Sequence, residues 1–149
     1  MPPRILVPID FSRHSEAVVD KATEMAQALG GTLALLHVHE PIVTAPPFGD
    51  VMPVQPPAPM AEFDSRLGKF AQARADSGVD IETRCVMGAA AVEILRLARE
   101  QPFDMIVMGT HGLTGWKHLL LGSVAERVVR ETACPVLVVP VRGAAATSQ

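Results

Sequence analysis

Short apolar, β-branched runs alternate with segments of helical periodicity along this chain, and that alternation constrains the fold more than any other feature. Ile5 to Ile9 reads as a buried strand. Ser12 follows as a helix N-cap, and Val18, Ala22, Met25, Ala26 and Leu29 then recur on one helical face. Gly30-Gly31 ends that helix, because glycine accepts the left-handed conformation. Leu33 to Val38 predicts a second buried strand, and Met60, Phe63, Leu67 and Phe70 mark a second helix. Val79, Ile81, Thr83, Cys85 and Met87 alternate with more polar residues, which predicts a strand at a sheet edge. Ala91, Ile94, Leu95 and Ala98 give a third helix, Met105 to Met108 a fourth strand, Ser123 to Thr132 a fourth helix, and Val136 to Val139 a fifth strand. Such a series of βαβ units predicts an α/β, Rossmann-like fold: one doubly wound, five-stranded parallel sheet with helices on both faces and right-handed crossovers.

The length of 149 residues suits one domain, expected over residues 1–141, followed by a small, polar, frayed tail over 142–149. Seven of the thirteen prolines fall between Pro41 and Pro59, so that stretch is expected to be a loop insert. Apolar residues make up 48% and charged residues 19%, which excludes a disordered chain. A net charge of −3 without a Lys/Arg run argues against nucleic acid as a partner. No apolar run is long enough to span a membrane, and the opening run is too short for a signal segment, so the cytoplasm is the expected location. Cys85 and Cys134 stand alone and read as buried, inert thiols.

Chemistry concentrates after the fourth strand. From Gly109 the chain reads G-T-H-G-L-T-G-W-K-H-L-L-L-G-S, a spacing of Gly, two residues, Gly, nine residues, Gly-Ser. Glycines let backbone amides approach an anion, and Gly122-Ser123 opens a helix whose free N–H groups favour phosphate. Neither GxxxxGK[ST] nor GxGxxG is present. Asp10 stands at the end of the first strand, and in doubly wound sheets ligands lie beyond the carboxyl ends of the strands.

These residues resemble the universal stress protein family, in its ATP-binding branch, over nearly the whole chain. The resemblance rests on Ile-Leu-Val-Pro-Ile-Asp at 5–10, His37-Val38, Met108-Gly109, the G-x2-G-x9-G-S spacing, and Cys-Pro-Val-Leu-Val-Val at 134–139. It implies strand order 3-2-1-4-5, ATP binding (with ADP or AMP as alternatives and Mg2+ as a companion) and a homodimer. It also implies roles: Pro8, Ile9 and Val38 at adenine, Asp10 on the ribose hydroxyls, Met108, Gly109 and Gly112 at ribose and the first phosphates, and Gly122, Ser123 and Val124 on phosphate.

Each of these residues has a plainer reading beside the functional one. Asp10 alone reads equally as a turn or capping residue, and Ser123 with Glu126 also fits a capping box. His111, Lys117 and His118 either offset phosphate charge or are merely solvated, and for Trp116 packing is favoured over covering the loop or contacting a partner chain. His37 and His39 lack a third metal ligand, and Met105 and Met108 suit the core. The run Val136 to Val141 would expose an apolar edge unless a symmetric partner strand covers it, which agrees with a homodimer. The expected function is that of an ATP-binding regulatory module of the stress response. A slow ATPase or phosphoryl-transfer enzyme, and a ligand-free dimeric scaffold, are the alternatives. No catalytic set accompanies the loop, so the expectation leans away from an enzyme.

Overall fold

The computed structural model describes residues 1–41, 49, 59–110 and 121–140. Its elements are β1 (Arg4–Pro8), α1 (Ser15–Leu29), β2 (Thr32–His39), α2 (Met60–Gln72), β3 (Ile81–Met87), α3 (Ala90–Glu100), β4 (Met105–Gly109), α4 (Ser123–Glu131) and β5 (Val136–Val139), with one 3-10 turn at Ala75–Ser77. All strand pairs are parallel, and the sheet order is β3-β2-β1-β4-β5, as expected. Residues 42–48, 50–58, 111–120 and 141–149 lie outside the described residues. So do most of the Pro41–Pro59 insert, the tail, Val141 and the cations His111, Lys117 and His118.

The central strands read as unbroken apolar runs because both of their faces are covered. Ile5, Val7, Ile9, Leu33, Leu35 and Val107 pack with Val18, Val19, Ala22 and Ala26 of α1 and Leu67 of α2. The alternate residues Leu6, Ala34, Leu36, Ile106 and Met108 pack with Ile94 and Leu97 of α3 and Ala125 and Val128 of α4. Pro8 ends β1, where its missing donor does least harm, and pairing resumes as the Ile9 N–H donates to the Leu36 carbonyl at 2.8 Å.

Three local expectations need correction. Ser12 is not the N-cap of α1. That position is His14, without a side-chain cap, and the Ser12 hydroxyl accepts from the His14 N–H at 3.3 Å within the preceding turn. The alternation along β3 is partial. Thr83 and Met87 of the more apolar set are exposed although Ile81 and Cys85 of the same set pack on the core, while Val86 packs into the opposite core. The two cysteines are half-buried rather than buried. Burial, aided by a hydrogen bond with Asp64, pushes the Cys85 thiol up to about 12, which keeps it protonated and unreactive.

The C-terminal end of α1 follows expectation: Gly30 sits at φ 64°, and the Gly31 N–H returns to the Ala26 carbonyl at 2.8 Å. Arg74 ties the far end of α2 to α1, meeting Glu16 at 2.6 Å and Asp20 at 2.7 Å. Among the described residues no helix is long and apolar enough to cross a membrane.

Candidate functional site

The strand order reverses between β1 and β4, so their following loops leave in opposite directions and open a crevice at the carboxyl edge. A cleft of about 460 Å³ lies there. Nine of the ten expected site residues line it: Pro8, Ile9, Asp10, Val38, Met108, Gly109, Gly122, Ser123 and Val124. The tenth, Gly112, lies outside the described residues. Leu36, Ala90 and Ile94 add to the apolar lining, and the cleft also carries polar side chains.

Asp10 is half-buried and held by two donors. The Ser12 N–H reaches its Oδ1 at 2.9 Å, and the Ser15 hydroxyl reaches the same oxygen at 3.4 Å. The plain turn reading of Asp10 is therefore correct as far as it goes, since this is an Asx turn. Both contacts use one oxygen, Oδ1, and the residue lines the cleft. Between Asp10 and Ser12, Phe11 adopts φ 60°, the one positive φ outside glycine among the described residues. The left-handed region disfavours such a side chain by about 1–2 kcal/mol, so its surroundings must hold it there.

Those surroundings are aromatic. The Phe11 ring lies 4.2 Å from the His37 ring, 6.0 Å from Phe70 and 6.4 Å from Phe63, centroid to centroid. The Arg66 guanidinium sits over it at 4.2 Å. His37 is 7% exposed, and its Nδ1 lies 3.0 Å from the Ile9 carbonyl. Burial lowers the His37 pKa from 6.5, the Ile9 contact opposes that, and His39 and Arg66 lower it further. The neutral ring donates from Nδ1 to Ile9. Around His37 and His39, among the described residues, no three His, Cys, Asp or Glu side chains come together.

The opposite wall is backbone. The Gly122 N–H donates to the Thr110 carbonyl at 2.6 Å. That amide is thus consumed within the protein, which corrects its expected role as a phosphate donor. Helix α4 begins at Ser123, and the first intrahelical bond runs from the Glu126 N–H to the Gly122 carbonyl at 2.9 Å. The amides of Ser123, Val124 and Ala125 therefore have no acceptor within the helix and open toward the cleft. Ser123 is the first helical residue, not the cap, so the capping box with Glu126 does not form. Glu126 instead meets Arg130 at 3.1 Å on the exposed face. Gly122 has φ −69° and ψ 164°, an ordinary extended conformation. Backbone strain therefore does not call for glycine at this position.

Sequence reasoning missed Ser12, His14, Ser15 and Thr110, all of which line the cleft. The D-x-S spacing of Asp10 and Ser12 was an available Asx-turn signal. Thr110 carried none.

The comparisons with known proteins agree with this geometry. The chain is 35% identical over 138 residues to a universal stress protein of Methanocaldococcus jannaschii, covering 91% of this chain and 81% of the relative. It is 33% identical over 145 residues to the universal stress protein YxiE of Bacillus subtilis, with 91% and 97% covered. A crystal structure of a universal stress protein in complex with cAMP superposes with a TM-score of 0.70 at 28% identity, covering 93% of this chain and 97% of that one. The family model of the universal stress proteins matches residues 1–140, and the chain belongs to the universal stress protein family.

Proposed function

We propose that the cleft binds an adenine nucleotide, ATP foremost with ADP or AMP as lesser ligands, and that its occupancy regulates a homodimer in the stress response. One observation carries this reading: a carboxylate and the free amides of a helix N-terminus face the same cleft, with an apolar slot beside them. The slot formed by Pro8, Ile9, Val38, Ala90 and Ile94 suits a flat base. Asp10 would accept from the ribose hydroxyls, with Met108 and Gly109 beneath the sugar. The amides of Ser123 and Val124, the Ser123 hydroxyl and the dipole of α4 would hold phosphate. Gly112 belongs to this reading by its place in the G-x2-G spacing. Mg2+ enters only through the phosphates, because the described residues supply no ligand cluster of their own. The cAMP complex of a relative supports adenine as the base.

Binding is favoured over phosphoryl transfer because transfer needs charge clamps on the terminal phosphate and a positioned nucleophile. The polar residues described around the cleft point to sugar and anion recognition instead. The homodimer rests on β5, an edge strand whose four residues are all apolar and half-buried. Pro140 limits the pairing at its end. The cytoplasm, where adenine nucleotides are abundant, is the location this function assigns.

Mass spectrometry of gently purified protein should find an adenine nucleotide, and titration of stripped protein with ATP should release heat. A protein that carries no nucleotide and gives no heat would overturn the reading. Sedimentation should find a dimer, and a monomer at micromolar concentration would remove the dimer from it.

A further inference from the structure

We propose that Phe11 is a positioning residue for ribose recognition, locking the Asp10 carboxylate toward the sugar through a left-handed turn clamped by β2 and α2. This inference rests on the nucleotide reading above. Asp10 is the only residue between Ile9 and Phe11, and both neighbours are anchored by side chains of β2 and α2. Ile9 is held by its carbonyl, 3.0 Å from Nδ1 of His37. Phe11 is held by its ring, between His37 at 4.2 Å and the Arg66 guanidinium at 4.2 Å, with Phe63 and Phe70 behind.

The conformation at Phe11 is what makes the clamp more than packing. A phenylalanine that only filled the core would not need φ 60°, a region that Asn and Asp enter with help from local hydrogen bonds and that phenylalanine enters without any. At that φ the chain doubles back, so the Ser12 N–H meets Oδ1 of Asp10 at 2.9 Å and fixes the carboxylate. Strained backbone of this kind persists where its surroundings over-determine it, and it concentrates at ligand clamps. The benefit is preorganisation: an Asp10 already aimed loses little side-chain freedom when the ribose hydroxyls arrive.

The test titrates full-length protein with ATP and with 2′,3′-dideoxy-ATP, which lacks both ribose hydroxyls. The wild type should prefer ATP. Phe11→Gly, which permits the turn but no longer enforces it, should weaken ATP by about tenfold and dideoxy-ATP by less than about twofold, so the preference collapses. Phe11→Tyr keeps a ring in the clamp and should retain the preference. Arg66→Gln changes an exposed residue at the clamp's outer wall, leaves the core intact and should reduce the preference by about twofold. If Phe11→Gly fails to fold in a thermal melt, Arg66→Gln decides by the same ratio. Equal losses for both nucleotides would make Phe11 a packing residue and overturn the proposal, as would an unchanged preference. A wild type that binds both equally would overturn it while leaving nucleotide binding intact. A wild type that binds neither would sink the nucleotide reading and this inference with it.

Discussion

The two walls of the cleft are built from different materials. In the proposed reading, recognition on the β1 side falls to one side chain, Asp10, which is braced by Ser12, Ser15 and an aromatic cluster from β2 and α2. On the β4–α4 side it falls to backbone amides at the start of α4, and the side chains there are small or absent. The difference matches the chemistry of the proposed ligand. Phosphate needs several donors at close range, and a helix N-terminus supplies them without ordering a long side chain. Vicinal hydroxyls need an acceptor aimed from one point, which a carboxylate provides and an amide does not. The walls should therefore respond oppositely to substitution: the sugar wall to removal of atoms, the phosphate wall to their addition.

The largest effect should come from adding bulk to the phosphate wall. Gly122→Val places a branched side chain beside the open amides of α4, and a loss of at least about 100-fold in ATP affinity is expected from two charge-assisted bonds. The backbone at φ −69°, ψ 164° suits valine, so the melting temperature should move little. Full ATP affinity in this variant would show that phosphate does not approach α4. Removal should matter next, on the sugar wall. Asp10→Ala should weaken ATP by about tenfold while leaving 2′,3′-dideoxy-ATP nearly unaffected. If both nucleotides weaken alike in calorimetry, Asp10 serves the turn rather than the sugar.

The same contrast explains what the sequence revealed. The phosphate wall was legible because its signal is local: a strand, glycines at fixed spacing and a helix start lie within one segment. Its detail was not, since spacing does not encode that the Gly122 amide is taken by the Thr110 carbonyl. On the sugar wall Asp10 was legible from its place at a strand end, but its bracing was not. His37, Phe63, Arg66 and Phe70 lie tens of residues away and meet Phe11 only when β2 and α2 pack on the sheet. Nothing in a phenylalanine announces a left-handed turn, because that residue type seldom adopts one. The sheet itself was legible almost throughout, since period and apolar runs set the strands. The edge strand β3 departed most from its predicted facing, since Thr83 and Met87 are exposed and Val86 is turned to the opposite core.

The smallest expected effect is a pH dependence confined to the sugar wall. His37 titrates below its ordinary 6.5 in the folded protein, first because burial disfavours the charged ring, with His39 and Arg66 adding to that. The contact with the Ile9 carbonyl and the charge of Asp10 pull the other way and leave a net lowering. The unfolded chain therefore binds more protons than the folded chain once the pH falls to about 6.5, and stability declines from there downward. Above that range both states hold His37 neutral, and it contributes no slope. The melting temperature should drop by on the order of a few degrees between pH 7.5 and 5.5 beyond the drop seen in His37→Gln, which keeps a donor for Ile9 but cannot titrate. Parallel curves for the two proteins would mean that protonation of His37 is not resisted, and that the aromatic brace behind Asp10 is looser than its contacts indicate. Gly122→Val, on the opposite wall, should leave the slope as it is in the wild type.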